Sequence, residues 1–366
     1  MKIADIVSFL EALAHPSLQE SYDNAGLITG SPAWSCTGIL VSLDATEAVI
    51  NEAKQKNCNL VVAHHPIVFG GLKKLNGSNY VERTVITAIK NDIAIYAIHT
   101  NLDNVRHGVN GIIADKLGLA DRTILQPRPG TLRKLFTFVP VQHAPGVREA
   151  IFAAGGGHIG HYSECSFSSA GTGTFKGDAG THPFVGQPGK QHQEEELKLE
   201  VLFPAYLEKA IIAALMAAHP YEEVAYDVVA LQNTHPGIGA GIIGSLPAPL
   251  AEKAVLEQLR QVFRVPVVRH TALTGQPVSR VAVCGGAGSF LIARALAAGA
   301  QLFVTADVKY HEFFDANAGI VIADIGHFES EQFTVDGLVA VLQEKFPTFA
   351  TLKTSVTTNP VHYFLG

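Results

Sequence analysis

Residues 60–66 are Leu-Val-Val-Ala-His-His-Pro, the most informative stretch of the chain for its fold. The apolar run is typical of a strand buried on both faces of a sheet. Neighbouring strand residues point to opposite faces. His64 and His65 therefore either face two sides of a pocket or reach one rim through a turn at Pro66. Both arrangements suit metal ions, because neutral imidazole is the commonest metal ligand; the alternative is a hydrogen-bonded histidine pair at a loop mouth.

Two further predicted strands also end in polar residues. The strand over residues 93–98 is followed by His-Thr-Asn-Leu-Asp at 99–103. The short strand over 319–323 continues into Asp-Ile-Gly-His-Phe-Glu-Ser-Glu at 324–331, where a helix is expected to begin near His327. The carboxyl ends of strands in open α/β sheets are where sites form, so these segments are expected to converge on one crevice.

The spacing within the last segment places two candidate ligands together. His327 and Glu331 are at positions i and i+4 of the predicted helix, on one helical face. Glu329 lies about 160° from Glu331 around the helix and should point elsewhere. The alternative for both carboxylates is a solvated first turn, where negative charge suits the helix dipole.

Together these segments supply three imidazoles and two carboxylates as candidate metal ligands: His64, His65, Asp103, His327 and Glu331. Five ligands are too many for one tetrahedral zinc with an open position. They suit two divalent ions per chain that share a bridging carboxylate and a bridging water, as in hydrolytic two-metal sites. This mixture of ligands admits zinc, iron or manganese and disfavours copper(I).

Composition excludes several other classes of protein. The chain has 366 residues, of which 16% are charged and 47% hydrophobic, as in a well-buried globular protein. The formal net charge of -6 and the lack of a basic stripe do not support nucleic-acid binding. Four dispersed cysteines without a C-x-x-C pair are expected to be reduced core residues. No signal peptide or membrane span is evident, so the expected location is the cytoplasm.

The order of predicted elements divides the chain into three parts. Residues 1–124 alternate strands and helices, which indicates a mostly parallel sheet with helices on both faces. Residues 125–245 follow the order β-α-β-β-α-β of a ferredoxin-like module. Residues 246–366 return to α/β alternation, with a last short strand over 363–365. We therefore expect an α/β fold whose two halves form one metal-binding unit, interrupted by an inserted α+β domain.

Three weaker features accompany the main motifs. His99 and His311 are candidates for proton transfer near metal ions, although a lone histidine is more often only hydrogen-bonded. The glycine-rich turn at residues 284–289 suits either an anion or plain packing, and packing is favoured. The segment His-Pro-Tyr-Glu-Glu at 219–223 is interpreted as a structural turn.

These motifs resemble those of the Nif3 family of dinuclear metal-centre proteins, also named type 2 homologues of GTP cyclohydrolase I. The resemblance extends over nearly the whole chain. Residues 104–110 depart from the family pattern, which usually has Gly-Gly ahead of the asparagine that corresponds to Asn110. This departure affects only the local loop geometry. The stretches that carry the resemblance are residues 22–27, 43–46, 64–66, 99–103, 307–311 and 326–331.

The resemblance implies a two-metal site held by the five candidate ligands, with Glu331 contacting both ions, in a toroidal homohexamer whose sites face an internal cavity. Longer family members carry an insert similar to PII and CutA proteins, which residues 125–245 match. The implied activity is metal-dependent hydrolysis of a nucleotide-like or phosphate-containing substrate. The cyclohydrolase name implies that the substrate is GTP and that the imidazole ring of its guanine is opened. The alternative is a non-enzymatic metal-bearing scaffold or regulatory protein whose insert binds a ligand or a protein partner.

Overall fold

The structure, a computed structural model, describes residues 1–364. The chain divides into two units that have their own internal contacts. The flanking unit comprises Met1–Gln126 together with the chain from Gly237 onward, and the middle unit comprises Pro127–Pro236. The boundaries expected from the sequence, at 124/125 and 245/246, remain predictions.

The described residues form fifteen strands and eleven α-helices. The strands are β1 (Gly26–Thr29), β2 (Ile39–Ser42), β3 (Leu60–Ala63), β4 (Ala94–Ala97), β5 (Ala120–Pro127), β6 (Leu132–Pro140), β7 (Ser166–Lys176), β8 (Gln191–Pro204), β9 (Tyr226–Ala230), β10 (Gly239–Leu250), β11 (Arg269–His270), β12 (Val278–Ala287), β13 (Leu302–Ala306), β14 (Val321–Asp324) and β15 (Thr351–Lys353). The helices are α1 (Ile3–Leu13), α2 (Glu47–Gln55), α3 (Tyr80–Lys90), α4 (Thr100–Asp103), α5 (Val109–Lys116), α6 (Ala144–Ala153), α7 (Glu208–Ala218), α8 (Glu252–Val262), α9 (Ile292–Ala297), α10 (His327–Glu331) and α11 (Thr334–Lys345). Short 3-10 turns lie at Pro16–Leu18, Ala205–Leu207, Ser289–Leu291 and Tyr310–Ala316.

The first sheet of the flanking unit has the strand order β1-β4-β3-β2-β15. Its strands are parallel except β1, which pairs antiparallel with β4. Ser42 at the end of β2 pairs with Ala63 at the end of β3, and Ala63 pairs with Ala97 at the end of β4. The residues that follow these three strands therefore lie at one edge of the sheet, among them His64 and His99.

The second sheet of the flanking unit has the order β11-β14-β13-β12-β10-β5, with a parallel centre formed by β12, β13 and β14. One hydrophobic cluster contains inward-facing residues of both sheets, such as Val62 and Tyr96 from the first and Val283 and Val304 from the second. Because both sheets contribute to one core, their packing fixes the end of β14, where α10 begins with His327.

The middle unit contains an antiparallel sheet of order β7-β8-β6-β9. Helices α6 and α7 pack on one face through residues such as Ile151 and Leu215, against Leu199 and Val201 of β8. Phe138 and the other side chains that alternate with these core positions lie on the opposite face of the sheet. The ferredoxin-like classification of this unit remains a prediction.

Several elements depart from the sequence-based expectations. The buried strand expected at residues 60–63 is β3 itself. The element order predicted for residues 125–245 requires a strand before β8 without locating it, and that strand is β7. β10, which is rich in small residues, is not predicted from the sequence. Tyr363 is not in a strand, and the end of the strand expected over 363–365 lies outside the described residues.

All four cysteines are free thiols. Among residues 1–364, none of the helices has the length and apolar character that crossing a bilayer requires.

Glu52 connects α2 to the C-terminal segment through several hydrogen bonds. Its buried carboxylate accepts hydrogen bonds from the Ser355 backbone N–H at 2.9 Å, from Lys56 Nζ at 2.6 Å and from the Thr354 hydroxyl. Burial by itself raises the pKa of Glu52, but these donors outweigh it and lower the pKa from 4.5 to about 2. The ionised carboxylate therefore stabilises the folded chain.

We predict that Glu52→Gln lowers the free energy of unfolding near neutral pH by about 1.5–3 kcal/mol, the usual contribution of hydrogen bonds to a charged group. Because the folded-state pKa is depressed, this stabilisation is present above pH 4.5 and is lost as the pH falls towards about 2. Urea unfolding over this pH range measures the difference. In the control Glu47→Gln, which removes only a surface ion pair with Arg83, the change should stay below about 1 kcal/mol. The prediction would be contradicted if the difference in the free energy of unfolding between the wild type and Glu52→Gln did not become smaller as the pH falls.

We also predict that the flanking unit folds without the middle unit. The chain leaves the second sheet through β5 and returns through the neighbouring β10. A Cβ on Gly241 would lie only 3.4 Å from that of Leu125, so the two strands are adjacent near the points of exit and return. Replacing residues 127–236 with a short Gly-Ser linker should give a soluble protein with the helical circular dichroism and metal content of the flanking unit. An insoluble product, or a folded one without metal, would count against it.

Candidate metal centre

His64 and His65 lie together at the carboxyl end of β3. Their backbone N–H groups continue the sheet pairing, donating to the carbonyls of Ser42 at 3.2 Å and Leu43 at 2.9 Å. The two imidazole rings lie 4.9 Å apart, His64 fully buried and His65 partly buried. Both rings therefore reach one space instead of two separate sides of a pocket.

Four histidines share one orientation: each donates a hydrogen bond from Nδ1 to a protein oxygen. In its neutral form, a ring fixed through Nδ1 can present its Nε2 lone pair to a metal ion, which is the usual arrangement of metal-binding histidines. The four bonds are His64 to the Ile98 carbonyl at 2.8 Å, His65 to Asp44 at 2.8 Å, His99 to Asp23 at 2.7 Å and His327 to Asp307 at 2.6 Å.

Glu331 lies at the centre of this group. Its Oε2 is 2.9 Å from Nε2 of His65, 3.2 Å from Nε2 of His327 and 3.9 Å from Nε2 of His64. The contact with His327 is made at the i, i+4 spacing of α10. Burial raises the pKa of Glu331, but hydrogen bonds from His327 and His65 outweigh it and hold the pKa well below the ordinary range. The carboxylate is thus an ionised, buried centre.

Within residues 1–364, two buried atoms of the centre have no hydrogen-bond partner: Nε2 of His64 and Oδ1 of Asp103, which are 3.6 Å apart. Burial lowers the pKa of His64 to about 3, so its ring is neutral, and its Nδ1–H is already bonded. Burial, reinforced by the charge of Glu331, raises the pKa of Asp103 well above its ordinary value. Leaving such a group unsatisfied costs about 1–3 kcal/mol, and a cation bound by both atoms would remove that cost.

The pKa values of His65 and His327 show that negative charge prevails in the centre. Burial lowers the pKa of His65 and of His327, but their carboxylate partners outweigh burial. Asp44 and Glu331 raise the pKa of His65 to about 9, while Asp307 and Glu331 raise that of His327 to about 11. Carboxylate charge therefore dominates the centre and favours cations.

His99, a proton-transfer candidate in the sequence, also joins the cluster. Its ring centroid lies 5.3 Å from that of His64 and 5.4 Å from that of His65. One ring nitrogen of each of the three lies within 4.8 Å of the others, close enough to hold an ion. A second such group consists of His65, His327 and Glu331.

The three carboxylates that orient these rings are not among the metal-centre residues predicted from the sequence: Asp23, Asp44 and Asp307. Burial raises the pKa of Asp23, but hydrogen bonds from His99 and Thr100 lower it to about 2. A signal was available for two of them, since Asp44 and Asp307 lie within two residues of the carboxyl ends of β2 and β13.

Two other candidates lie elsewhere. His311 is exposed in the 3-10 turn Tyr310–Ala316, with its ring 5.1 Å from that of Tyr310, and within residues 1–364 no hydrogen bond or ring contact joins it to the centre. Its role in proton transfer remains a prediction. Glu329 points away from Glu331 and accepts a hydrogen bond from Asn359 at 3.0 Å. Both carboxylates are buried, so the solvated first turn is wrong.

The glycine-rich end of β12 packs directly against the centre. Gly286 has a φ of +60°, and a Cβ there would lie 2.5 Å from Oε1 of Glu331 and 3.3 Å from the His327 ring. Its N–H donates to Ser330 Oγ at 3.0 Å. Only glycine leaves room for the Glu331 carboxylate at this position.

The family model of Duf34/NIF3 (NGG1p interacting factor 3) matches residues 1–360. The chain belongs to the Duf34/NIF3 family. Family relatives include proteins named GTP cyclohydrolase 1 type 2 homolog from Halalkalibacterium halodurans, 39% identical over 98% of this chain and 99% of the relative, and from Bacillus subtilis, 37% identical over 92% and 91%.

Solved structures of the family agree with this fold. A Bacillus cereus protein related to NIF3 has a TM-score of 0.88 and 36% identity, covering 100% of this chain and 99% of the other. A Staphylococcus aureus protein has a TM-score of 0.79 and 28% identity over the same shares. The mixed α/β architecture with several sheets is therefore that of NIF3 proteins.

We predict that Gly286→Ala lowers metal affinity by about tenfold or more, because the added methyl group displaces the Glu331 carboxylate. Gly299→Ala is a matched control: Gly299 also has positive φ, at +75°, but among residues 1–364 no atom beyond its immediate chain neighbours lies within 4 Å of the added carbon. Both variants incur the backbone cost of about 1–2 kcal/mol for alanine in a left-handed conformation. Metal titration and thermal unfolding separate the two effects, and equal metal loss in both variants would argue against this role of Gly286.

Proposed function

We propose that this NIF3 protein binds two divalent metal ions per subunit and uses them to hydrolyse a nucleotide-like or phosphate-containing substrate. The main support is the unpartnered pair of buried ligand atoms on His64 and Asp103, next to imidazoles already oriented through Nδ1. A cluster built only for stability has no reason to leave these two atoms unsatisfied.

The ligand set divides around Glu331. His64 and Asp103 offer two ligand atoms 3.6 Å apart, and His65 and His327 offer two nitrogens 3.3 Å apart. Oε2 of Glu331 lies within 3.9 Å of Nε2 of all three histidines, which supports the proposal that its carboxylate would hold both ions. Imidazole and carboxylate ligands suit zinc, iron and manganese.

Residues of the chain itself would transfer protons, and their hydrogen bonds would fix the orientation of the catalytic rings. When bound, the ions supply Lewis acidity and bring the ionisation of water towards neutral pH. His99 holds its Nδ1–H against Asp23, which fixes its ring and leaves the other nitrogen to accept or release a proton. His311 is the second candidate for this task, from the surface.

The names of the relatives and the family resemblance refine the proposal. Because the relatives are named GTP cyclohydrolase 1 type 2 homolog, GTP is the first substrate to test. A toroidal homohexamer is the proposed assembly, and light scattering on the purified chain measures its mass.

We predict that Glu331→Gln keeps the shape of the side chain but loses at least one of the two ions and most hydrolytic activity. Two cations in close approach repel strongly at low dielectric, and the shared negative charge offsets this repulsion. Elemental analysis gives ions per chain, while hydrolysis of bis(p-nitrophenyl) phosphate and of GTP gives activity. His158→Ala, in the middle unit, is the control and should retain both.

Two results would count against different parts of the proposal. A Glu331→Gln variant with two ions at unchanged separation would rule out the bridging role of Glu331. A wild-type chain that holds two ions but hydrolyses none of the phosphate esters and nucleotides would favour the metal-bearing scaffold.

A further inference from the structure

The middle unit contains a cavity of about 660 Å³ that the metal centre does not involve. It lies on the face of the sheet that Phe138 and Glu196 share, opposite the face covered by α6 and α7. Residues of β7 form one wall, and segments around Phe184 and Tyr221 form the others. A volume of this size is typical of small-molecule sites.

Aromatic rings form much of the cavity wall. The Tyr221 ring lies 5.9 Å from Phe175 and 6.3 Å from Phe184, so three rings surround one space. Tyr221 is held in place by His219, whose Nδ1 accepts its backbone N–H at 3.1 Å and whose Nε2–H donates to the Phe138 carbonyl at 2.9 Å. The turn at residues 219–223 thus positions a side chain that lines the cavity.

A buried carboxylate lies among these rings. Glu196 is only 6% exposed, and its Oε1 accepts a hydrogen bond from the Tyr221 hydroxyl at 2.7 Å. No residue in the described part of the chain donates a hydrogen bond to its second oxygen, Oε2. A Cβ on Gly173 would lie 2.2 Å from this Oε2, so only glycine at this position leaves room for the Glu196 carboxylate.

The remaining charges favour a positive ligand. Glu222 and Glu223 also line the cavity, together with two lysines. Lys198 is already paired, 3.3 Å from Glu200 and over the Phe136 ring, and Lys176 is exposed. The three glutamates outnumber the two lysines, so the charges that line the cavity favour a cation over an anion.

We propose that the middle unit binds a small organic cation of the ammonium class in this cavity. The faces of aromatic rings attract ammonium groups, most strongly where water is excluded. Glu196 supplies a countercharge through Oε2, which needs a partner once buried. An inorganic divalent ion is a poorer occupant, because it prefers a shell of several oxygen ligands, whereas the buried carboxylate here shares its cavity with four aromatic rings and two lysines.

The test uses the full-length protein with choline as the probe and 3,3-dimethyl-1-butanol as its neutral isostere. The two molecules have nearly the same shape, so a difference in affinity isolates the positive charge. Isothermal titration calorimetry should show choline binding at least about tenfold more tightly than the isostere.

Variants then locate the binding. Glu196→Gln and Phe175→Leu should each weaken choline binding about tenfold or more, while Glu196→Gln leaves the affinity for the isostere unchanged. Glu195→Gln is the matched control, because Glu195 is exposed and precedes Glu196 on the same strand. His65→Ala, in the metal centre, should also leave choline binding unchanged.

Each contrary result overturns the proposal. Binding of neither probe, or equal affinity for both, would mean that the cavity does not recognise positive charge. If folded Glu196→Gln keeps its affinity for choline, Glu196 is not the countercharge. If His65→Ala loses choline binding, choline binds at the metal centre and not in this cavity. If Glu196→Gln fails to fold by circular dichroism, the probe comparison on the wild type and the Phe175→Leu variant still decide the outcome.

Discussion

The buried carboxylate of Glu331 is the interaction on which the flanking unit's centre depends. It meets His65 from the first sheet at 2.9 Å and His327 from its own helix, after β14 of the second sheet, at 3.2 Å. Removing a carboxylate from water costs several kcal/mol unless hydrogen bonds and charge partners compensate. The strand ends of two sheets must therefore be held at a fixed separation, which their shared hydrophobic core provides.

The imidazoles are oriented before any ion arrives. Three carboxylates and one backbone carbonyl fix their Nδ1 atoms, and these anchors come from separate elements: Asp44 follows β2, Asp307 follows β13 and Asp23 precedes β1. Each ring loses little freedom on binding a ligand, because its rotamer and tautomer are already set. The same carboxylates raise the pKa values of His65 and His327, so the centre is prepared for positive charge.

The two units each bury a carboxylate, but in different chemical surroundings. Glu331 lies within 3.2 Å of two imidazole nitrogens that can bind metal ions once they are deprotonated. Glu196 accepts a hydrogen bond from the Tyr221 hydroxyl and shares its cavity with aromatic rings, which suits the diffuse charge of an organic cation. The neighbours of a buried carboxylate, more than the carboxylate itself, thus distinguish the ligand classes proposed for the two units.

The sequence by itself determined the elements whose signals are local. The apolar run of β3 predicts a buried strand, and the i, i+4 spacing of His327 and Glu331 predicts the start of a helix with two ligands on one face. Both features follow from the sequence because they depend only on residues that are close along the chain. Only the tertiary structure decided which side chains meet. β7 is rich in small polar residues and exists through pairing with β8, and Asp23 reaches His99 across 76 positions. Such contacts depend on how sheets pack, which no local pattern encodes.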